Sequence, residues 1–386
     1  MARWDWLTQA KTLYTRSFVM RVILKAAVLF IGFNAMFVLL TPMQWINQAT
    51  LYNTVFPGRE RLAYSDNPKD AYNISLGSLD AMFASHVISN ETRSDVVRVA
   101  MIGDSSVWGV LLDNDETLSS CLNAMDLRTD DGHRIEVYNL GYPVLSVLKD
   151  VLILDQALDH DIDAVVWLTT LQALFETEQL RHPILSDNAD VARDFIERYN
   201  LDLNAEQLPQ QTLWYQTIIG QRRVLSDWLR YQIYGLGWWM TGEDYASAGY
   251  LGAPVRNLPA SENVLNQPQI EVGNLIEQNV LAWDVMQAGF DLVDEHGVPM
   301  LLVNEPIFRS DGLNSDIRYN EYYPRWAYDA YRQHLEQLAA GNNWPYLDLW
   351  NFVPAESFTD TPFHYEAGVV CDVAAQMVPD LLALIN

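Results

Sequence analysis

A serine hydroxyl is a weak nucleophile at neutral pH. It needs a base to take its proton, a carboxylate to steady that base, and preplaced donors to receive an oxyanion. The 386-residue chain carries such a set in chain order. Ser105 stands in Gly103-Asp104-Ser105-Ser106, directly after an apolar run. His364 lies in a late strand-to-helix loop, four residues after Asp360. That spacing puts both side chains on one side of a helical turn or across a compact loop. The Ser105 N–H is one candidate oxyanion donor, and Gly141, having no side chain, can bring a second N–H close. The chemistry such a set performs is acyl transfer from an ester. Each residue also has a plainer reading: Gly-Asp-Ser is a common turn, His364 suits a helix start and Asp360 forms turns. Asp348 is a second candidate acid. Asn139 and Glu305 are candidates for holding substrate, with loop hydrogen bonding the other reading of Glu305.

The elements that must position these residues alternate in type. Val96-Val-Arg-Val-Ala-Met-Ile102 is short, apolar and rich in β-branched residues, as a buried parallel strand is. Further strands are expected over 135–140, 164–168, 299–304 and 346–349. Helical spacing marks 117–127, 146–160, 279–295, 324–340 and 367–385. The alternation predicts a three-layer α/β/α fold with a five-stranded, mainly parallel sheet. In such sheets ligands bind beyond the strand carboxyl ends, where the sequence places Gly103–Ser106, Asn139–Gly141, Thr169–Gln172 and Asn304–Glu305. Residues 42–95 read as an irregular link and 96–386 as the catalytic domain. Residues 175–275 interrupt it with a helical insertion holding Trp214, Tyr215, Trp228, Tyr231, Tyr234, Trp238 and Trp239 beside Arg222, Arg223 and Arg230. Those aromatics either pack a small core of their own or meet a membrane interface or an integral-membrane partner.

Gly103-Asp104-Ser105 with Ser106 resembles the nucleophile block of the SGNH (GDSL-like) hydrolases. Asn139-Leu140-Gly141 resembles their second block, and Asp360 with His364 their acid–base block. The resemblance implies a flavodoxin-like SGNH fold, with Ser105 as nucleophile, His364 as base, Asp360 as orienting acid and Gly141 in the oxyanion hole. It implies no organic cofactor and no metal. Two departures stand out. Three residues separate Asp360 from His364 where the family has two. The third block, Gly-x-Asn-Asp, is replaced by Thr169-Thr170-Leu171-Gln172, whose Thr170 or Gln172 can donate from a side chain. With an N-terminal apolar helix, the chain looks like the envelope acyl-transfer branch, similar to proteins of alginate O-acetylation and teichoic-acid D-alanylation. That branch implies a glycan or acyl-ester substrate and an integral-membrane acyltransferase as partner. The alternative is a non-catalytic envelope subunit that keeps the fold.

Charge placement supports export. The chain's net charge is −26, yet its first 41 residues hold Arg3, Lys11, Arg16, Arg21 and Lys25 against Asp5 alone. From Val22 to Leu40 only Lys25, Gly32 and Asn34 interrupt an apolar run of the length a membrane helix needs. The basic flank predicts a cytoplasmic N-terminus and an extracytoplasmic main domain, with 1–41 as tail and anchor. A cleaved signal peptide and a buried soluble helix are the competing readings. The acidic balance argues against nucleic acid, whose phosphates need a basic footprint. The hydrophobic share of 49% allows a substantial core. Metal and nucleotide motifs are absent from the sequence. Cys121 and Cys371, its two cysteines, can pair in an exported domain or remain buried thiols.

Overall fold

Apolar runs ending in glycine or polar residues form the five strands β1 (Val96–Ile102), β2 (Arg134–Asn139), β3 (Ala164–Thr169), β4 (Met300–Asn304) and β5 (Tyr346–Asp348). All neighbouring pairs are parallel, in the order β2-β1-β3-β4-β5. This is the five-stranded α/β sheet expected, fully parallel and doubly wound. The chain passes from β1 outward to β2, then back across to β3, which opens a crevice at the carboxyl end of β1. The computed structural model describes residues 14–64, 77–210, 212–242, 252–265, 267 and 270–386.

The principal helices are α1 (Arg16–Leu40), α2 (Leu79–Ser85), α3 (Ser105–Trp108), α4 (Leu118–Ala124), α5 (Val147–Leu158), α6 (Ala189–Arg198), α7 (Arg222–Thr241), α8 (Trp283–His296), α9 (Arg325–Asn342) and α10 (Ala367–Ile385). Strand side chains alternate between two core layers. Ala100, Ile102, Val165, Trp167, Met300 and Leu302 enter one, with α5, α8 and α9. Val99, Met101, Val166, Leu168, Leu301 and Val303 enter the other, with α4 and α10. The period of two that defines a strand therefore divides most apolar residues of the central strands between the two layers. Cys121 of α4 and Cys371 of α10 form a disulfide with Cα atoms 5.1 Å apart.

Two compact units partition the chain: residues 1–46 with 211–226, and residues 47–210 with 227–386. The first contains α1, whose start is capped by Thr15 Oγ1 accepting from Phe18 N at 3.1 Å. None of its side chains is buried, and it is long and apolar enough to cross a membrane or to serve as a signal sequence. The second unit contains the sheet. Of its described residues between 47 and 95, expected to be an irregular link, those up to Ile88 contribute many buried side chains, while 89–95 are exposed. Tyr52, Phe56, Leu62 and Met82 are buried, and α2 forms there. Arg59 bridges to His86 and Arg61 to Asn139. Scattered apolar residues without a helical or strand period still bury once isolated bridges satisfy the backbone.

Candidate active site

The nucleophile turn is set by packing. β1 ends at Ile102, and the chain turns sharply through Gly103 into α3. A Cβ on Gly103 would sit 2.6 Å from Val107 Cγ2 and 3.0 Å from Leu168 O. Asp104 caps the helical turn, its Oδ1 accepting from Ser106 N at 2.7 Å. Gly141, after β2, lies against the same turn: a Cβ there would come within 2.4 Å of Trp108 N. Asn139 staples the two segments, donating from Nδ2 to Val107 O at 2.8 Å.

Ser105 Oγ lies 2.7 Å from His364 Nε2, and His364 Nδ1 lies 2.8 Å from Asp360 Oδ1. The serine comes from the end of β1 and the other two residues from the loop before α10. Asp360 as acceptor requires the imidazole proton on Nδ1, which leaves Nε2 to accept the Ser105 hydroxyl proton. The loop is closed on itself. Thr359 N donates to His364 O at 2.8 Å, and His364 N donates to Thr361 Oγ1 at 3.2 Å. The extra residue between Asp360 and His364 is thus taken up within a compact turn. Burial works to raise the Asp360 carboxyl, but the hydrogen bond and charge of His364 outweigh it and hold the group below its ordinary value. Asp348 is occupied elsewhere, accepting from Asn304 Nδ2 at 2.8 Å and from Arg332 Nε at 3.1 Å.

The candidate oxyanion donors differ in availability. The Ser105 N–H has no acceptor among the described residues, as at the first position of any helical turn. The Gly141 N–H donates to Asn139 Oδ1 at 3.1 Å. Thr170 is buried, with its hydroxyl 3.3 Å from the Tyr323 hydroxyl. Gln172 donates its backbone N–H to the same tyrosine at 3.1 Å, while its Oε1 is buried without a partner. Asn139, expected to hold substrate, is enclosed at 2% exposure, and Glu305, with substrate contact and loop hydrogen bonding as its two readings, is enclosed at 1%. Both polar atoms of the Asn139 side chain and Oε2 of Glu305 hold the nucleophile turn.

Beneath the turn is a buried polar network. Ser106 Oγ donates to Glu305 Oε2 at 2.6 Å. Lys149 Nζ donates to Gly103 O at 2.8 Å and to Tyr142 O at 2.7 Å, and pairs with Asp150 at 2.7 Å. Trp167 Nε1 donates to Asp150 Oδ2 at 3.1 Å. Burial, reinforced by the charge of Asp104, pushes the Glu305 carboxyl well above its usual range. Burial also lifts Asp150 to about 6, against the pull of Lys149. The available sequence signal is Lys149-Asp150, a charged pair set inside the apolar run of α5. Among the described residues, no group of three or more His, Cys, Asp or Glu side chains could hold a metal ion.

No known family model and no curated protein matches the chain. Solved structures similar to it include a carbohydrate acetylesterase family member from Sinorhizobium meliloti, with 11% identity and a TM-score of 0.34. A putative arylesterase from Agrobacterium tumefaciens str. C58 gives 11% and 0.32. The native aryl esterase of M. smegmatis gives 12% and 0.32. Each comparison covers 75% of this chain and 99% of the other. Values this low transfer no residue role from those proteins to this one.

Proposed function

We propose that this is a membrane-anchored, extracytoplasmic, SGNH-like serine esterase or O-acyltransferase acting on an envelope glycan or acyl ester. The observation that carries the reading is the continuous hydrogen-bonded line from Ser105 through His364 to Asp360 at the carboxyl edge of the sheet. In the proposed reaction Ser105 Oγ attacks the ester carbonyl and its proton passes to His364 Nε2. The Ser105 N–H meets the developing oxyanion. The tetrahedral intermediate then expels the alcohol, which takes the proton from His364. Water or a sugar hydroxyl attacks the acyl-serine in turn, again giving its proton to His364. The second tetrahedral intermediate collapses to the acid or the new ester, expelling Ser105 Oγ, which takes the proton back from His364. Water as acceptor makes an esterase, and a sugar hydroxyl makes a transferase. The Asp360 carboxylate stabilises the imidazolium formed at each step. Export agrees with the disulfide, which persists in oxidising compartments, and with the one-sided basic flank of α1. An integral-membrane acyltransferase is the proposed partner.

One observation favours a second reading, a non-catalytic envelope subunit. The Gly141 N–H is already engaged by Asn139 and the third block offers no asparagine. Loss of one oxyanion donor typically costs about 10²–10³ in turnover. The deciding experiment is labelling of the full chain by a fluorophosphonate probe, together with aryl-acetate hydrolysis. The esterase reading expects labelling and turnover, both abolished in Ser105→Ala. A folded wild type that neither labels nor turns over leaves the subunit reading.

A further inference from the structure

α7 has two apolar faces. Its inner face, Tyr231 and Gly235 with Trp238, packs on the segment that follows the N-terminal helix. The Tyr52 and Tyr231 rings are 5.3 Å apart, and Trp239 stacks on Phe56 at 5.5 Å. A Cβ on Gly235 would meet the Tyr52 hydroxyl at 2.4 Å. Trp228 Nε1 donates to Ala49 O at 3.1 Å, and Leu51 N donates to Gln232 Oε1 at 2.8 Å. The outer face is a stripe of Leu229, Ile233, Leu236 and Met240, exposed by 53%, 63%, 41% and 72%. Those positions recur at helical spacing, so they form one continuous surface. No charged residue occurs from Tyr231 to Thr241. A helix apolar on both sides, with one side bare, is built for a second apolar medium.

We infer that the outer stripe of α7 lies in the headgroup–acyl boundary of the bilayer that holds α1. Three features favour lipid as the occupant. Ala49, pinned to α7, is nine residues beyond Leu40, the last residue of α1. Nine residues reach at most about 30 Å, so covalent connection alone keeps α7 near the end of an anchored α1. Tyr234 and Trp239 of the same helix are also partly exposed, by 45% and 40%, and such rings favour the interface. Finally, Arg222, Arg223 and Arg230 stand against Asp227 alone on α7, in a chain of net charge −26. Its basic end complements anionic headgroups that the rest of the molecule would repel. The consequence for the proposed reaction is a catalytic unit held at the membrane surface rather than swinging on a tether.

The inference rests on α1 being a retained anchor, which carbonate extraction of native membranes tests separately. For α7, the full chain is placed in nanodiscs of phosphatidylcholine and phosphatidylglycerol. Single spin labels are introduced by Ile233→Cys, Met240→Cys and, as a water-exposed reference, Asp131→Cys. The expected result is a several-fold higher ratio of oxygen to nickel-chelate collision at 233 and 240 than at 131. Equal ratios at all three sites overturn the inference. So do labels that are water-exposed in nanodiscs but shielded from both reagents in native membranes, since that result assigns the stripe to a protein partner. Fluorophosphonate labelling of Ser105 in the same samples reports the catalytic reading independently of either outcome.

Discussion

Glu305 shows how a residue can serve the site without facing substrate. Its Oε2 takes the Ser106 hydroxyl, while its Oε1 and the Oδ2 of Asp104 are buried without partners. Two carboxyl groups thus converge on Ser106, one through its N–H and one through its hydroxyl. Like charges so enclosed cannot both ionise cheaply, which favours the neutral form of Glu305. Its folded-state pKa is raised, which fixes the sign of the pH effect. Above the ordinary glutamate value of 4.5 the unfolded chain releases this proton while the fold retains it, so stability is lost as pH rises. Glu305→Gln keeps a neutral group of the same shape and should remove that slope. Its stability relative to wild type should increase with pH above that value in urea unfolding measured from pH 4 to 8. Glu305→Ala, which strands the Ser106 hydroxyl, should lower turnover far more than Glu305→Gln does. Asp360→Asn tests the other carboxylate. Without a charge to hold the imidazole tautomer, turnover should fall by about 10³–10⁴ with little change in melting temperature.

At the scale of elements, the site depends on how closely the chain after β2 approaches α3. With Trp108 N only 2.4 Å from where its Cβ would sit, Gly141→Ala must push the α3 backbone aside. Overpacking of this kind costs about 1–3 kcal/mol. Because α3 begins with Ser105, turnover should fall by more than the loss of folded protein accounts for, as kinetics beside a melting curve would reveal. An unchanged turnover would mean that the turn is not held by this contact. The same elements show what the sequence makes legible. The five strands and the α5, α9 and α10 helices fall within a few residues of their expected places, because β-branched runs and helical spacing are local signals. Ser105, His364 and Asp360 stand in one hydrogen-bonded line because strand ends in a doubly wound sheet share an edge, which alternation alone implies. What the chain does not announce is long-range. Asn139 turned inward because Val107 O and the Gly141 N–H were within its reach. Residues 47–64 packed because α7, far along the chain, supplied Tyr231 and Gln232 as partners. Pairings across such separations carry no periodic mark.

The whole molecule combines an apolar, basic-flanked start with an acidic body closed by a disulfide, and the two features constrain each other. Cys121 and Cys371 are separated by 250 positions and join α4 to α10 on one side of the sheet. α10 is also the helix that follows His364, so the bond secures the layer that fixes the base. A cross-link over so long a loop stabilises mainly by limiting the unfolded chain, typically by about 2–4 kcal/mol. For a unit of this size each kcal/mol is worth roughly 1.5 °C. The double variant Cys121→Ser, Cys371→Ser should therefore melt about 3–6 °C below wild type. The same bond reports on compartment. If the basic flank keeps the N-terminus in the cytoplasm, the sheet folds where thiols oxidise. Full-length protein denatured directly from membranes should then take no polyethylene-glycol maleimide until a reductant is added, after which two additions should appear on a gel. Two additions without reductant, in protein quenched with acid at lysis, would place the sheet on the reducing side and reverse the topology drawn from the charge asymmetry.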